Sequence, residues 1–227
     1  MGVYTVMRKN SLTMNRRRLF NLLAVVLAIV VFRSSLLDWY HIPSDSMRPT
    51  LLNGDRVIVN KLAYRLLLPL TQIPLLDISP VGRGDIVVFS DKQTGRLMIK
   101  RVVARAGDTV AIDDNTLIVN GDPASYHRAH TGVDYELFSE TIAGQVHQIR
   151  LENGAAPSMH TLPARTVPPG HVYVLGDSRH NSRDSRFLGS VPLSQLHGRA
   201  VAIAFSFNPD NHYFPRNDRF GQTLTDL

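Results

Sequence analysis

Four polar side chains stand out for the chemistry they could do together. Ser44 and Ser46 lie two apart in "HIPSDSMRPTLLNGD" (His41 to Asp55), Lys100 interrupts the apolar run "LMIKRVVARAG", and Ser182 lies in "GDSRHNSRDSRFLG" (Gly176 to Gly189). A serine hydroxyl becomes a working nucleophile only beside a base that takes its proton, and a lysine is such a base only when neutral. Free lysine titrates near 10.4 and must be brought down to roughly 7–8, a cost to the ammonium of about 4 kcal/mol that desolvation can supply. Met98, Ile99, Val102 and Val103 offer that apolar setting around Lys100. Taken singly, each stretch has a plainer reading. Pro43 and Pro49 bound a turn in which hydroxyls bond the local backbone. A lysine can point outward from a half-buried strand, and Arg179, Arg183, Asp184 and Arg186 can form the ion pairs of a polar turn.

Other chemistries find little support. Cysteine is absent, which removes thiolate nucleophiles, disulfides and Cys-based metal sites. The nine histidines are scattered; His127 and His130 are three apart, but in a loop-like stretch. No carboxylate pair, metal-spaced cluster or Gly-rich phosphate loop is present, so neither metal nor cofactor is expected.

The elements that must position these groups begin with an apolar segment, "LFNLLAVVLAIVVF" (Leu19 to Phe32), preceded by Arg16, Arg17 and Arg18. The net charge is +6, from 25 basic and 19 acidic residues. Six of the basic residues (Arg8, Lys9, Arg16, Arg17, Arg18 and Arg33) fall within residues 1–33, which hold no acid. The remaining chain is therefore formally neutral, which argues against nucleic acid as a partner, since the excess is absent from the part that would contact phosphates. Fourteen helical residues span about 21 Å of a roughly 30 Å hydrocarbon core; continuation to about Leu37, with Arg33 reaching the headgroups, nearly completes the span. A cleaved signal peptide is the rival reading, but Phe32 and Arg33 occupy positions where small residues would be needed. An uncleaved single-pass anchor is expected over 19–37, with residues 1–18 cytoplasmic by the positive-inside rule and 38–227 outside.

Beyond the anchor the pattern is β. "DRVIVNKLAY", "GDIVVFS", "LMIKRVVARAG", "TVAIDDNTLIVNG", "HVYVLGD" and "RAVAIAFSF" are short β-branched or aromatic runs bounded by turn residues. "DDNTLIVNGDPA" (Asp113 to Ala124) predicts a hairpin region. Residues 62–82 are apolar but broken by Pro69, Pro74 and Pro80, so they cannot form one regular helix. Polar, variable residues 125–168 read as an excursion, within an inserted region at about 112–168. The expected fold is mainly β, an antiparallel-sheet catalytic domain with short helices preceded by one transmembrane helix.

Four stretches in order, "IPSDSMRPTL", "RGDIVVF", "IKRVVARAGD" and "GDSRHNSRDSR", resemble the boxes of type I signal peptidases (bacterial leader peptidases), which read much like "IPSGSMxPTL", "RGDIVVF", "KRVxGxPGD" and "GDNRxNSxDSR". The matches cover about 50 residues, and four boxes in order are far more specific than any one. The resemblance implies Ser46 as nucleophile and Lys100 as general base, with Ser182 orienting the amine. It implies an oxyanion site from the Ser46 N–H and the Ser44 hydroxyl, and a loop held by Asp177, Asp184, Arg179 and Arg186, with Arg101 beside the base. Pocket walls are expected from Ile42, Pro43, Met47, Leu51, Met98 and Ile99. The implied substrate is the signal peptide of a translocated preprotein, cut after small residues at −3 and −1. The lipid bilayer and the secretion translocon are the implied neighbours, at the bacterial inner membrane with the catalytic domain periplasmic. A related Ser-Lys processing peptidase of the conjugation type, with a dedicated substrate, is the alternative. Asp45, Ala104, Ala106, Met98, Ser178 and His180 depart from the family pattern without removing a catalytic group; Asp45 is expected to point to solvent.

Overall fold

A computed structural model describes residues 16–68, 71, 73–154 and 161–224. Residues 1–15, with Arg8 and Lys9, and residues 155–160 of the expected insertion lie outside the described residues.

Helix α1 (Arg16–Ser35) comes first. Strands β1 (Leu37–His41), β2 (Asp55–Asn60), β3 (Arg65–Leu67), β4 (Pro74–Asp77), β5 (Ile86–Ser90) and β6 (Leu97–Arg105) follow. Next come β7 (Thr109–Asp113), β8 (Thr116–Val119), β9 (Asp122–Pro123), β10 (Ser125–Thr131), β11 (Tyr135–Ile142), β12 (Gln145–Glu152) and β13 (Leu162–Thr166). The chain closes with β14 (His171–Leu175), the short helix α2 (Ser185–Leu188), β15 (Val191–Pro192), β16 (Leu196–Asn208) and β17 (Phe214–Pro215). The fold is mainly antiparallel β with few helices, and all the strand pairs are antiparallel.

The principal sheet runs β1-β2-β16-β5-β6-β14-β15, with β17 on the end of β16. Its strands β2, β5, β6, β14 and β16 are β-branched runs visible in the sequence, while β1, β15 and β17 were not among them. β5, "IVVFS", lies between two strands and is apolar from Ile86 to Phe89 because both of its faces are covered there. Ile86 and Val88 join a core with Ile42, Met47, Leu51, Val57, Val59 and Ile99, while Val87 and Phe89 join one with Val102, Val172 and Val174. β2 alternates, burying Val57 and Val59 and exposing Arg56.

A second sheet, β13-β7-β8-β9, and a third, β10-β11-β12, are built from the residues between β6 and β14. The second has its own core of Val110, Ile112, Leu117 and Val119 against Val103 and Tyr173 of the principal sheet. Its hairpin turns use Asp114-Asn115 and Asn120-Gly121, all at positive φ, the conformation that tight two-residue hairpins need and that Asn, Asp and Gly adopt at least cost. Within residues 62–82, β3 and β4 pair antiparallel and no α-helix is formed among the described residues, with Leu68, Ile73, Leu75, Leu76 and Ile78 exposed.

At 20 residues α1 is about 30 Å long. Leu22, Leu23, Val25, Val26, Leu27 and Ile29 are exposed along it, yet arginines begin it and the apolar run is shorter than the helix. Among the described residues, no helix is long and apolar enough to cross a membrane.

Candidate active site

The two ends of the nucleophile segment are held by the principal sheet. Ile42, buried in the core, donates its N–H to Asp55 O, and Gly54 N donates back to Ile42 O, closing the loop between β1 and β2 at its base. Within the loop Met47 and Leu51 are fully buried and linked by the Leu51 N to Met47 O hydrogen bond. These anchors turn Ser46 away from the core, toward β6.

Lys100 stands on β6 opposite Val87 of β5 and is 3% exposed. Its Nζ lies 2.7 Å from Ser46 Oγ and donates to Ile99 O at 2.8 Å. Burial brings the amine down from its ordinary 10.5 to about 8; Asp184 and Asp177 oppose that shift and Arg186 adds to it. A neutral amine in hydrogen-bond contact with a hydroxyl can take its proton as that oxygen attacks a carbonyl. Ser44 Oγ lies 3.4 Å from Ser46 Oγ on the exposed side. Asp45, partly exposed as expected, also pairs with Arg48 at 2.9 Å.

The loop after β14 closes the site from the other side. Ser178 N donates to Ser46 O at 3.2 Å. Gly176 is required by this close approach, since a Cβ there would stand 2.1 Å from Ser182 Oγ and 2.5 Å from Ser46 O. Ser182 is thus brought to the nucleophile segment, but its Oγ is buried and forms no hydrogen bond among the described residues, so the expected bond to Lys100 is not made here. Asp177 accepts two hydrogen bonds from Arg101, at 2.9 and 2.7 Å, and one from Thr50 Oγ1 at 2.6 Å. Burial would raise its pKa, but the Arg101 charge overrides this and holds the carboxyl below the usual range. One carboxylate therefore ties together β6, the nucleophile segment and the loop. Asp184 accepts Gly176 N and both arms of Arg186, and caps α2 through Arg186 N.

Thr50 and Gly176 were visible within the motifs but carry roles that spacing alone does not disclose. Glu140 had no signal at all. It lies on β11, fully buried, and takes both arms of the Arg179 guanidinium together with the Tyr126 hydroxyl at 2.7 Å. His147 Nε2 is 2.9 Å from its second oxygen. Burial pushes the Glu140 carboxyl up, yet Arg179 and His147 hold it well below the ordinary range. The third sheet is joined to the site loop through this cluster and through Arg150, whose N–H donates to Asp177 O.

A groove of about 500 Å³ leads up to Ser46 and Lys100, lined by Ile42, Pro43, Met98 and Ile99 with Tyr40, His41, Ser44, Val88, Leu97 and Arg183. Met47 and Leu51, expected in its walls, are in the core instead, because the loop turns at each of them and does not alternate as a strand would. β14 pairs with β6 only from Arg101 onward, so Leu97–Lys100 keep a free edge, and β1 has only β2 as neighbour among the described strands. Among the described residues, no cluster of His, Asp and Glu is placed to hold a metal ion.

The family model described as signal peptidase, peptidase S26, matches residues 16–205. A signal peptidase I of Pseudomonas fluorescens is 34% identical over 216 residues, covering 87% of this chain and 75% of that protein. One from Aquifex aeolicus is 31% identical, covering 84% of each chain. A crystal structure of a signal peptidase I from Enterococcus faecalis is 27% identical, covering 54% of this chain and 98% of its own, with a TM-score of 0.35. The chain belongs to the signal peptidase I family, the S26 serine peptidases.

Proposed function

We propose that this peptidase cleaves signal peptides from translocated preproteins after small residues at −3 and −1, with Ser46 as nucleophile and Lys100 as general base. The observation that carries the reading is the 2.7 Å approach of a buried, largely desolvated Lys100 Nζ to Ser46 Oγ. Neutral Lys100 takes the Ser46 proton as Oγ attacks the scissile carbonyl. The Ser46 N–H and the Ser44 hydroxyl stabilise the oxyanion, and the Lys100 ammonium returns its proton to the leaving amine. Water, deprotonated by the same amine, then hydrolyses the acyl-enzyme. Ser182 and Arg101 are positioning residues, together with Asp177, Asp184 and Arg186.

The C-terminal part of the signal peptide enters as an extended strand on the free edge of Leu97–Lys100, giving main-chain affinity, and alternate side chains enter the groove. Apolar walls from Ile42, Pro43, Met98 and Ile99 favour small side chains. Residues 38–227 form the extracytoplasmic catalytic domain with its insertion at about 112–168. The single-pass anchor in the bacterial inner membrane is residues 19–37, most of α1 and the two residues after it, with Arg16, Arg17 and Arg18 on the cytoplasmic side and the translocon as neighbour. The exposed apolar side chains of α1 support this.

The test is cleavage of a preprotein whose signal ends in Ala-x-Ala by the detergent-solubilised full chain. Wild type is expected to cut after the −1 Ala, and Ser46→Ala and Lys100→Met to leave it uncut. Cleavage by either variant at the wild-type rate removes the dyad, and failure of folded wild type removes the substrate class.

A further inference from the structure

The three other arginines around the site loop have their charges spent on buried carboxylates. Arg101 is held by Asp177, Arg179 by Glu140 and Arg186 by Asp184. Arg183 differs. It is exposed, lines the groove beside Ser46 and Lys100, and makes no ion pair among the described residues. Its one hydrogen bond runs from Nη2 to Gln93 Oε1 at 3.1 Å. Asp91, the acid whose charge it feels, is already engaged by Thr94 Oγ1 at 2.6 Å and by Gln93 N at 3.0 Å.

The direction of this side chain matters. It starts next to Ser182, at the catalytic end, and reaches Gln93 in the turn that leads into Leu97. The guanidinium therefore lies alongside the free edge of Leu97–Lys100, on the path of the incoming strand. Side chains of an extended peptide alternate between two faces. The −1 and −3 side chains enter the groove, Arg183 forms part of its exposed rim, and a side chain at −2 or −4 leaves the groove past that rim.

We propose that Arg183 is a specificity residue that reads charge on the signal-peptide side of the scissile bond, favouring an acidic side chain at −2 or −4 and disfavouring a basic one. The inference rests on the signal peptidase reading above. A rim charge of this kind acts on association and orientation more than on chemistry and is weakened by salt. Exposed ion pairs are weak, so the expected discrimination is modest, about three- to tenfold.

The experiment uses the full chain in detergent and Ala-x-Ala preproteins carrying Glu, Gln or Lys in turn at −2 and at −4. Wild type, Arg183→Gln and Arg183→Glu are compared by kcat/KM at low and high salt. Wild type should prefer Glu over Lys at one of the two positions, Arg183→Gln should bring the ratio near one, and Arg183→Glu should reverse it. With the Gln substrates any change should be smaller than the change in the Glu-to-Lys ratio, and high salt should compress every ratio. An equal Glu-to-Lys ratio in the three enzymes overturns the proposal. So does an equal loss on all substrates, which would make Arg183 a structural member of the loop. A wild type that cuts none of them takes away the underlying reading, and with it this one.

Discussion

Replacing Lys100 by Met should abolish activity and yet make the protein more stable at neutral pH. Holding an ammonium at about 8 when its ordinary value is 10.5 costs the protonated folded state roughly 3 kcal/mol, at 1.36 kcal/mol per pKa unit. Lys100 is almost fully buried, so solvent screening does not erode that figure much. Against it stand the hydrogen bonds to Ile99 O and to Ser46 Oγ, together worth about 1–2 kcal/mol net. Met is unbranched, of similar length, and apolar like its neighbours, so the variant should gain about 1–2 kcal/mol at pH 6–7, or about 2–8 °C in Tm for a chain of this size. The pH dependence is the sharper test. Below 8 both folded and unfolded wild type are protonated and the penalty is complete. Between 8 and 10.5 the folded state has lost the proton that the unfolded state still binds, so wild-type stability rises with pH relative to the variant. The measurement is urea unfolding of wild type and Lys100→Met in the same detergent at several pH values from 6 to 10.5. A gain that shrinks steadily to nothing above pH 8 supports the reasoning. A variant less stable than wild type at pH 7, or a difference that ignores pH, would refute it.

The same amine should govern the rate. kcat/KM is expected to climb about tenfold per pH unit below 8 and to level off above it, since only neutral Lys100 accepts the Ser46 proton; stopped assays on an Ala-x-Ala substrate read the apparent pKa directly. Gly176→Ala should lower kcat more than a hundredfold and cost about 1–3 kcal/mol, because its Cβ would collide with Ser182 Oγ and Ser46 O; urea midpoints and kcat from one preparation check both. Met47→Ala should destabilise by about 2–5 kcal/mol through the cavity it leaves in the core, with little change in substrate choice. Met98→Ala, in the groove wall, should cost less than about 1 kcal/mol and widen the accepted side chains at −1 or −3, read by a substrate panel.

Local signals and distant ones divide what could be read from the chain. The β-branched runs became strands of the principal sheet and, for "TVAIDDNTLIVNG", of the second, and Asp114-Asn115 and Asn120-Gly121 became hairpin turns, because both depend on residues adjacent in sequence. The four motifs identified the segments of the site, and the approach of Lys100 to Ser46 follows from β6 lying beside the loop after β1. Met47 and Leu51 were misplaced because a loop's side chains follow no period, and their direction depends on the hydrogen bonds that fold it. The ion pair of Asp45 was missed although Arg48 is three residues away, since a turn had to bring them together. Glu140 was invisible for another reason: its partner Arg179 is 39 residues away, and a buried acid carries no mark until the base that neutralises it is known.

The burial of Lys100 has a consequence for the life of the molecule before it folds. In an extended chain Ser46 and Lys100 are separated by 54 positions, and an amine in water is protonated at neutral pH, so the nascent polypeptide has neither a base nor a nucleophile. In the proposed mechanism, the loss of solvent that accompanies packing is what turns Lys100 into a base. Partial unfolding reverses the change: water reaching β6 would reprotonate the amine and disarm a damaged copy before its loosened groove could accept unintended substrates. On the proposed dyad, folding itself is the activation step.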